Sequence, residues 1–176
     1  MLTSFAPASD AQLAAVQAAL DVRGRQIAPG EPLNWVFQNR HASLRIEGRS
    51  DTRLMAGAVP EPHVVTEAGA RYRVHVLRGQ NHGRFLDMAA GRQWVRGHLA
   101  TWPRARVLNL FAYTCAFSVV ALQAGAKSVV NIDMSHGALA TGQQNPSATA
   151  SRPARASWRT TSSRRGAGSA AAGRTT

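Results

Sequence analysis

Hydrophobic and polar positions beyond residue 105 follow each other in blocks that predict a strand, a loop, a helix and a second strand. Val107–Phe111 is a short apolar run of the kind that fills a buried parallel strand. Ala112–Ala116 is the predicted loop, and Phe117–Gln123 is an apolar helical stretch that Gly125 ends. Ser128–Ile132 is the second strand. Together these blocks indicate one βαβ unit.

The amino-terminal pattern begins with a helix. Ser9–Gln12 fits a capping box, in which the first side chain and the one three residues later satisfy helix-end N–H groups. Leu13, Val16 and Leu20 then recur at helical spacing and form one apolar stripe. The pattern predicts that this helix ends near Gly24.

Strand-like and helical patterns fill the region between this helix and the βαβ unit. Leu33–Gln38 and Ser43–Glu47 are predicted strands. Apolar and polar residues alternate over Arg71–Val76, which predicts a half-exposed strand. Asp87 is placed to cap a helix through about Leu99, and Trp102-Pro103 then breaks the chain.

Charge separates the last thirty-one residues from the rest. The chain has 176 residues and a formal net charge of +12, and residues 146–176 contribute six Arg and no acid. These residues include no Leu, Ile, Val, Phe or Met, so they cannot bury enough apolar surface to offset their ordering entropy. The composition predicts a disordered basic tail. One hypothesis is that the reading frame shifts just after Asn145, and the other is a genuine tail that binds RNA phosphates.

These patterns divide the chain into three parts. Residues 1–90 are predicted to form a small strand-rich α+β appendage, residues 91–145 a partial cofactor-binding βαβ domain, and residues 146–176 the tail.

A carboxylate closes the second strand of the βαβ unit. Asp133 follows Tyr113 by twenty positions, the spacing at which such a unit brings an acid beside the ribose hydroxyls of a nucleoside cofactor. The loop carries no G-x-G-x-x-G, so it lacks the bared backbone that a pyrophosphate requires. A dinucleotide is therefore not the expected cofactor, whereas S-adenosylmethionine, which has a ribose but no phosphate, is compatible with this loop. The plainer interpretation of Asp133 is a turn residue at a strand end.

Three motifs in order resemble one enzyme family. Residues 109–118, Asn-Leu-Phe-Ala-Tyr-Thr-Cys-Ala-Phe-Ser, and residues 132–135, Ile-Asp-Met-Ser, are similar to the two cofactor motifs of bacterial S-adenosylmethionine-dependent methyltransferases of large-subunit ribosomal RNA, a group with cytosine-C5 and guanine-N7 enzymes. Residues 83–87, Gly-Arg-Phe-Leu-Asp, resemble the group's Gly-x-Phe-Leu-Asp signature. The resemblance runs from about Leu33 to Asn145.

The resemblance implies a fold, a partner and a set of site residues. The implied fold class is α/β, a partial Rossmann-like class I methyltransferase fold that follows the small α+β region. Large-subunit ribosomal RNA is the implied partner and the cytoplasm the implied location. The implied cofactor-binding residues are Asn109, Phe111, Tyr113, Thr114, Ala116, Asp133, Met134, Ser135, Phe85 and Asp87; no catalytic residue is assigned.

The chain also departs from the pattern of the family that it resembles. Cys115 stands where the family usually has Gly, and a β-carbon there is costly if φ is positive. Arg84 stands where the family usually has an apolar residue. The family's Asp-Pro-Pro base-recognition motif, which follows a later strand, is absent from the sequence. The 176 residues are therefore expected to lack turnover by themselves; the alternative to an enzyme is an inactive remnant or a non-catalytic module that binds cofactor or RNA.

Other chemistries find little support in the sequence. A single cysteine excludes an internal disulfide and suits a reducing compartment. The six histidines have no ligand-like spacing, so no metal site is expected, and no segment is apolar enough to predict a membrane span. Arg92, Trp94, Arg96 and Trp102 mix charge with aromatic rings, as nucleic-acid-binding proteins do; a solvated helix face with partly buried Trp side chains explains them equally well.

Overall fold

The computed structural model describes residues 1–41, 51–78 and 81–145, and the backbone of residues 159–161. Backbone contacts divide the chain into two units, Met1–Leu86 and Asp87–Thr176. The predicted strand Ser43–Glu47 lies outside the described residues, as does most of the predicted tail.

The first unit contains a three-stranded sheet and a helix. Strand β1 (Leu2–Ser4) runs parallel to β2 (Trp35–Asn39), and β2 pairs antiparallel with β3 (Asp51–Ala56). Helix α1 (Asp10–Ile27) lies between β1 and β2 in the sequence. The predicted strand at Leu33–Gln38 thus exists but is displaced by one to two residues, which is the usual uncertainty of an element boundary.

Helix α1 begins as predicted and ends later than predicted. Ser9 accepts a hydrogen bond from the N–H of Gln12, whose side chain in turn accepts from the N–H of Ser9, so the capping box is confirmed. The apolar stripe packs through Leu13 against the buried rings of β2. The expected end at Gly24 is wrong because Gly24 stays helical and its carbonyl accepts from the N–H of Ala28.

A hairpin completes the first unit. Strand β4 (His63–Glu67) pairs antiparallel with β5 (Ala70–Val74), and the turn residues Ala68 and Gly69 both have positive φ, as a two-residue hairpin turn requires. Tyr72 and Val74 are buried, which confirms the predicted alternation within β5, but the strand ends at Val74 and not at Val76. Arg84 is also buried: its guanidinium pairs with Glu67 and lies over the Tyr72 ring at 4.7 Å from the centroid. Its charge is therefore compensated inside this unit.

The second unit is a parallel sheet with helical connections. A 3₁₀ turn (Leu86–Met88) leads into α2 (Ala89–Ala100), and β6 (Arg106–Leu110), α3 (Ala116–Gln123) and β7 (Ser128–Ile132) form the predicted βαβ unit. Strands β6 and β7 pair in parallel, and α4 (His136–Gln143) follows β7. Gly125, at φ 99°, follows the C-cap of α3 and confirms the predicted stop.

The start of α2 differs from the prediction. Met88, not Asp87, occupies the N-cap position, and no side chain caps this helix end. Asp87 instead lies within the preceding 3₁₀ turn.

One face of the second sheet is open in the described part of the chain, although the sequence predicted a buried strand there. Leu108 is 60% exposed and Leu110 is 53% exposed. The core lies on the other face, where Leu99, Ala121, Ala126 and Val129 pack together. An apolar run predicts burial on both faces only where a second helical layer covers the sheet, and the described helices that contact it provide one layer.

The tail is not devoid of structure. Strand β8 (Arg159–Thr161) pairs in parallel with β7 at Val130–Ile132, which corrects the prediction of disorder for these three residues. The backbone supplies the reason, since the outer edge of β7 offers unpaired N–H and C=O groups that any extended segment can satisfy whatever its apolar content.

Two Leu→Ala substitutions distinguish the open face of the second sheet from its buried side. Because Leu108 is mostly exposed, we expect Leu108→Ala to lower the free energy of unfolding by less than about 1 kcal/mol. Leu139 of α4 is fully buried against Ala112 and Cys115, so Leu139→Ala should cost about 2–5 kcal/mol. Urea titration of the two variants measures the difference. Equal losses would show that Leu108 is covered.

Candidate cofactor-binding loop

The predicted site residues cluster at one end of the second unit. Residues 111–115 form the loop between the carboxyl end of β6 and the start of α3, and Asp133 directly follows β7. Because β6 and β7 are parallel, both segments lie at the same edge of the sheet, the edge at which open α/β sheets bind ligands.

The loop backbone is unusual. Phe111, Tyr113 and Cys115 have φ values of 55°, 48° and 59°, so three non-glycine residues adopt the left-handed conformation within five positions. Each such residue costs roughly 1–2 kcal/mol. Two backbone hydrogen bonds brace the turn, from the N–H of Ala112 to the carbonyl of Ile132 (3.1 Å) and from the N–H of Cys115 to the carbonyl of Ala112 (2.7 Å). A strained loop persists only when its surroundings hold it, and the neighbouring side chains do so here.

Asp133 is the first of these restraints. One carboxylate oxygen accepts from the N–H of Tyr113 at 2.8 Å, and the other accepts from the N–H of Ser135 at 2.8 Å. Hydrogen bonds to an ionised acceptor are stronger than those between neutral groups. Asp133, which was predicted to bind the ribose, therefore also holds the loop in its conformation. Each carboxylate oxygen has a second lone pair, so these bonds leave acceptor capacity for a ligand.

Gly142 of α4 and Asn145, which follows α4, restrain the loop. The buried amide of Asn145 donates to the carbonyl of Thr114 at 3.0 Å. A β-carbon on Gly142 would lie 2.7 Å from the Sγ of Cys115, so only glycine permits this close approach of α4 to the loop. Sequence reasoning missed both residues. The contacts of Gly142 and Asn145 each span about thirty positions of the chain, and no local pattern marks them.

Cys115 is fully buried at the N-cap of α3. Burial raises the pKa of its thiol to about 12, and the neighbouring Asp133 charge adds to the shift. The thiol stays protonated at neutral pH, which argues against Cys115 as a nucleophile. Its φ of 59° confirms that this position has the backbone conformation that favours glycine.

A buried polar cluster supports the loop from below. The amide of Asn109 on β6 donates to the hydroxyl of Ser118 on α3 at 2.8 Å and to the side-chain oxygen of Asn131 on β7 at 3.1 Å. Ser118 also donates to that oxygen. Asn109, predicted to contact the cofactor, thus ties both strands to the helix. Ser118 and Asn131 were not predicted, because their role depends on the side-by-side placement of β6 and β7.

The remaining predicted residues occupy two settings. Phe111 is 86% exposed and Met134 is 81% exposed at the edge of the loop, so both offer apolar surface to a ligand. Ser135 caps α4 by accepting from the N–H of Ala138 at 3.2 Å, whereas Ala116 opens α3. Two further residues belong to the segment before α2: Phe85, exposed at the end of the first unit, and Asp87, at the beginning of the second.

The start of α3 offers donors for an anionic group. The first N–H groups of a helix have no partner within the helix, and no side chain caps this one. These N–H groups can therefore donate to another acceptor. A carboxylate is favoured there by the same N–H groups and by the helix dipole. The N–H donors at the start of α3 and the acceptor oxygens of Asp133 together fit a cofactor with a carboxylate at one end and a ribose at the other.

Two other kinds of feature are absent from the described residues. No group of three or more His, Cys, Asp and Glu side chains among them could hold a metal ion. No helix in the described ranges is long and apolar enough to cross a membrane.

Comparison with known proteins identifies a family and several relatives. The sequence model of a family described as S-adenosylmethionine-dependent methyltransferase matches residues 3–163. Ribosomal RNA large subunit methyltransferase I of Aeromonas salmonicida is 40% identical over 95 residues, which are 53% of this chain and 23% of that protein. Ribosomal RNA large subunit methyltransferase K/L of a Psychrobacter species is 39% identical over 108 residues, 61% of this chain and 13% of that protein. The chain thus spans less than a third of the length of these relatives.

Solved structures show the same fold. A putative S-adenosylmethionine-dependent methyltransferase from Streptococcus mutans superposes with a TM-score of 0.62 at 23% identity, over 86% of this chain and 37% of the other. A second putative methyltransferase, crystallised with SAH (S-adenosylhomocysteine), gives a TM-score of 0.57 at 27% identity, over 74% of this chain and 32% of the other.

Two substitutions of Cys115 isolate the cost of its left-handed backbone. Both Cys115→Gly and Cys115→Ala remove the buried thiol, but only glycine removes the β-carbon. Relief of roughly 1–2 kcal/mol is opposed by about 0.5–1 kcal/mol of extra unfolded-state entropy. We expect the Gly variant to be more stable than the Ala variant by up to about 1 kcal/mol, measured by thermal melts.

Ala121→Gly is the matched control, because Ala121 is buried within α3 and glycine in a helix interior costs about 1 kcal/mol relative to Ala. A Cys115→Gly protein that is less stable than the Ala variant would show that the loop accepts Cys without strain.

Proposed function

The chain belongs to the S-adenosylmethionine-dependent methyltransferase family, and on this premise we propose that the loop at 111–115 binds the adenosyl cofactor for methyl transfer to a base of large-subunit ribosomal RNA. The observation that carries the proposal is the carboxylate of Asp133, which holds the N–H of Tyr113 at the edge of the sheet while the neighbouring start of α3 has no side-chain cap.

Each part of the cofactor has a proposed partner in the second unit. The methionine carboxylate would accept N–H groups at the start of α3, close to Thr114 and Ala116. Asp133 would accept from the ribose hydroxyls with its remaining lone pairs. The exposed side chains of Met134 and Phe111 would cover the adenine. Asp87, in the turn before α2, is the proposed contact from the segment that resembles the family signature.

Asn109 and Ser135 are proposed to act through the backbone of the site. Asn109 positions the start of the loop through Ser118 and Asn131, and Ser135 fixes the start of α4 next to Asp133. Phe85 lies in the first unit, and its proposed contact with the cofactor remains a prediction.

The proposed substrate class rests on the relatives and on charge. Two of the similar proteins are named as methyltransferases of large-subunit ribosomal RNA. A chain with a net charge of +12 attracts a polyanion. A ribosomal RNA substrate would place the protein in the cytoplasm.

The cofactor, when bound, supplies a methyl group on a sulfonium, and the protein aligns it with the accepting base atom. Alignment of two reactants supplies much of the rate in such a reaction. Guanine N7 and cytosine C5 are both proposed acceptors. The buried, protonated thiol of Cys115 would not form a bond to a cytosine ring in this site.

Asp133→Ala tests the proposed ribose contact. Loss of hydrogen bonds to a charged acceptor should weaken S-adenosylhomocysteine binding by about 1.5–3 kcal/mol, measured by titration calorimetry. Asn145→Ala is the matched control, because it removes a restraint on the same loop and leaves the carboxylate in place. A smaller loss in the control separates ligand binding from loop support. Equal affinity of the parent and a folded Asp133→Ala protein would remove Asp133 from the site.

Transfer of a tritiated methyl group to ribosomal RNA tests the reaction itself. The 176-residue chain is expected to bind cofactor without turnover above background, because the sequence carries no base-recognition motif of the family it resembles. Unmethylated large-subunit RNA is the appropriate substrate, and small-subunit RNA is the control. Efficient transfer by the purified chain would show that residues 1–176 already contain a complete active site.

A further inference from the structure

Three aromatic rings form a continuous row on the exposed side of α2. Trp94, His98 and Trp102 are spaced four residues apart, and we call them the aromatic ladder. The rings of Trp94 and His98 are stacked, with centroids 4.9 Å apart and an interplanar angle of 8°. His98 and Trp102 follow at 5.4 Å and 46°. A flat heterocycle, such as a nucleic-acid base, can add to such a stack by lying parallel to its outer ring.

The structure separates the two Trp side chains from the arginines that the sequence grouped with them, because Arg92 is buried and Arg96 donates to Gln123. Trp94 is 66% exposed and Trp102 is 64% exposed, so neither side chain is the partly buried anchor of an ordinary solvated helix face. The same helix buries Leu99 in the core of the second unit, and the N–H of Trp102 bonds to the carbonyl of Leu99. The ladder is therefore fixed to a packed helix while its rings face solvent.

Three exposed cationic residues lie on the segments that follow the ladder. The chain continues from Trp102 to the exposed residues Arg104 and Arg106. Backbone hydrogen bonds pair this segment with the one that carries the exposed Lys127. The N–H of Arg104 bonds to the carbonyl of Gly125 at 3.0 Å, and the N–H of Lys127 bonds to the carbonyl of Ala105 at 2.8 Å. These two bonds place the three cations on adjacent segments.

Acidic residues lie away from that end of the second unit. In its described range, 87–145, the acids are Asp87 and Asp133. Asp87 precedes α2, a helix of 12 residues and hence about 18 Å long, and Trp102 follows it. Asp133 follows the carboxyl end of β7, whereas Arg106 and Lys127 lie at the opposite strand ends. The described part of the second unit therefore places no acid at the end where these cations lie.

We propose that the aromatic ladder, with Arg104, Arg106 and Lys127, is a binding platform for single-stranded RNA. Exposed aromatic rings stack on bases whatever their sequence, and neighbouring cations bind the phosphates that join them. A protein partner would also suit exposed Trp, but a surface with three cations and no nearby acid in the described part of the second unit favours a polyanion.

The platform deepens the proposed function and rests on it, because it names a second contact with the same RNA substrate. It lies at the amino ends of β6 and β7, about 17 Å along the strands from the cofactor loop. It would therefore hold a segment of RNA distant from the base that accepts the methyl group, and it would contribute affinity without altering the cofactor site.

The test uses the full chain and a fluorescently labelled single-stranded RNA of mixed sequence, with binding measured by anisotropy. We expect Trp94→Ala and Trp102→Ala each to weaken binding roughly tenfold or more, the usual loss of one base stack. Trp94→Phe and Trp102→Phe keep a ring and should keep most of the affinity. Phe5→Ala removes a similarly exposed ring from the first unit and should change binding less than twofold.

Salt dependence tests the cations separately. Arg104→Ala and Arg106→Ala should each reduce the slope of the logarithm of affinity against the logarithm of salt concentration by about 0.7, as expected for one phosphate contact on a single strand. The Trp variants should leave this slope unchanged. Circular dichroism verifies that each variant is folded, which exposed side chains should permit.

Unchanged RNA affinity in both folded Trp→Ala variants would overturn the proposal. Altered sedimentation of those variants without a change in RNA affinity would also overturn it and assign the ladder to a protein interface. Calorimetry with S-adenosylhomocysteine keeps the two proposals distinct. The ladder variants should bind this ligand as the parent chain does, whereas failure of the parent to bind it would contradict the cofactor site and leave the RNA result standing.

Discussion

The hydrogen bond between the carboxylate of Asp133 and the N–H of Tyr113 is the constraint around which the second unit is organised. It joins Asp133, which directly follows β7, to the loop that follows β6, at the carboxyl edge of the sheet. Three left-handed non-glycine residues cost several kcal/mol in total, so the loop needs this charge-assisted bond as well as the contacts from α4. Gly142 permits those contacts because no side chain separates α4 from Cys115. A cofactor that met the same carboxylate would find a loop already in place.

The polar cluster of Asn109, Ser118 and Asn131 favours one register between β6 and β7. An amide buried between strands is costly unless its partners lie within hydrogen-bond distance, and the parallel pairing of β6 with β7 brings Asn109 level with Asn131. A shift of either strand by one residue would separate these side chains and expose the amides to apolar neighbours. The cluster thus makes one alignment of the strands more favourable than its alternatives, and that alignment puts Asp133 opposite the loop.

The second unit has two chemically different ends. At the carboxyl ends of β6 and β7, a single carboxylate lies among backbone N–H groups and exposed apolar side chains, a setting for a small zwitterionic ligand. At the amino ends, aromatic rings and three cations face solvent, a setting for a polyanion. The polarity follows from the parallel topology, because parallel strands collect all their carboxyl ends at one edge and all their amino ends at the other. Between the two ends, Leu108 and Leu110 form an exposed apolar face of the sheet, and neither proposed site uses it.

The sequence by itself determined the βαβ unit, the capping box of α1 and the family, because each depends on residues close together in the chain. The alternation of apolar positions, the Gly after α3 and the Asp twenty positions after Tyr113 are all local signals. It also identified Cys115 as a glycine-like position, and the φ of 59° confirmed it. Local signals failed where a property depended on distant segments: the exposure of Leu108, the pairing of β8 with β7, and the ion pair of Arg84 with Glu67. Only the tertiary structure decided these, and only it showed that Asp133 holds the loop and that Asn145 and Gly142 support it, because burial and hydrogen-bond partners are set by which segments meet in space.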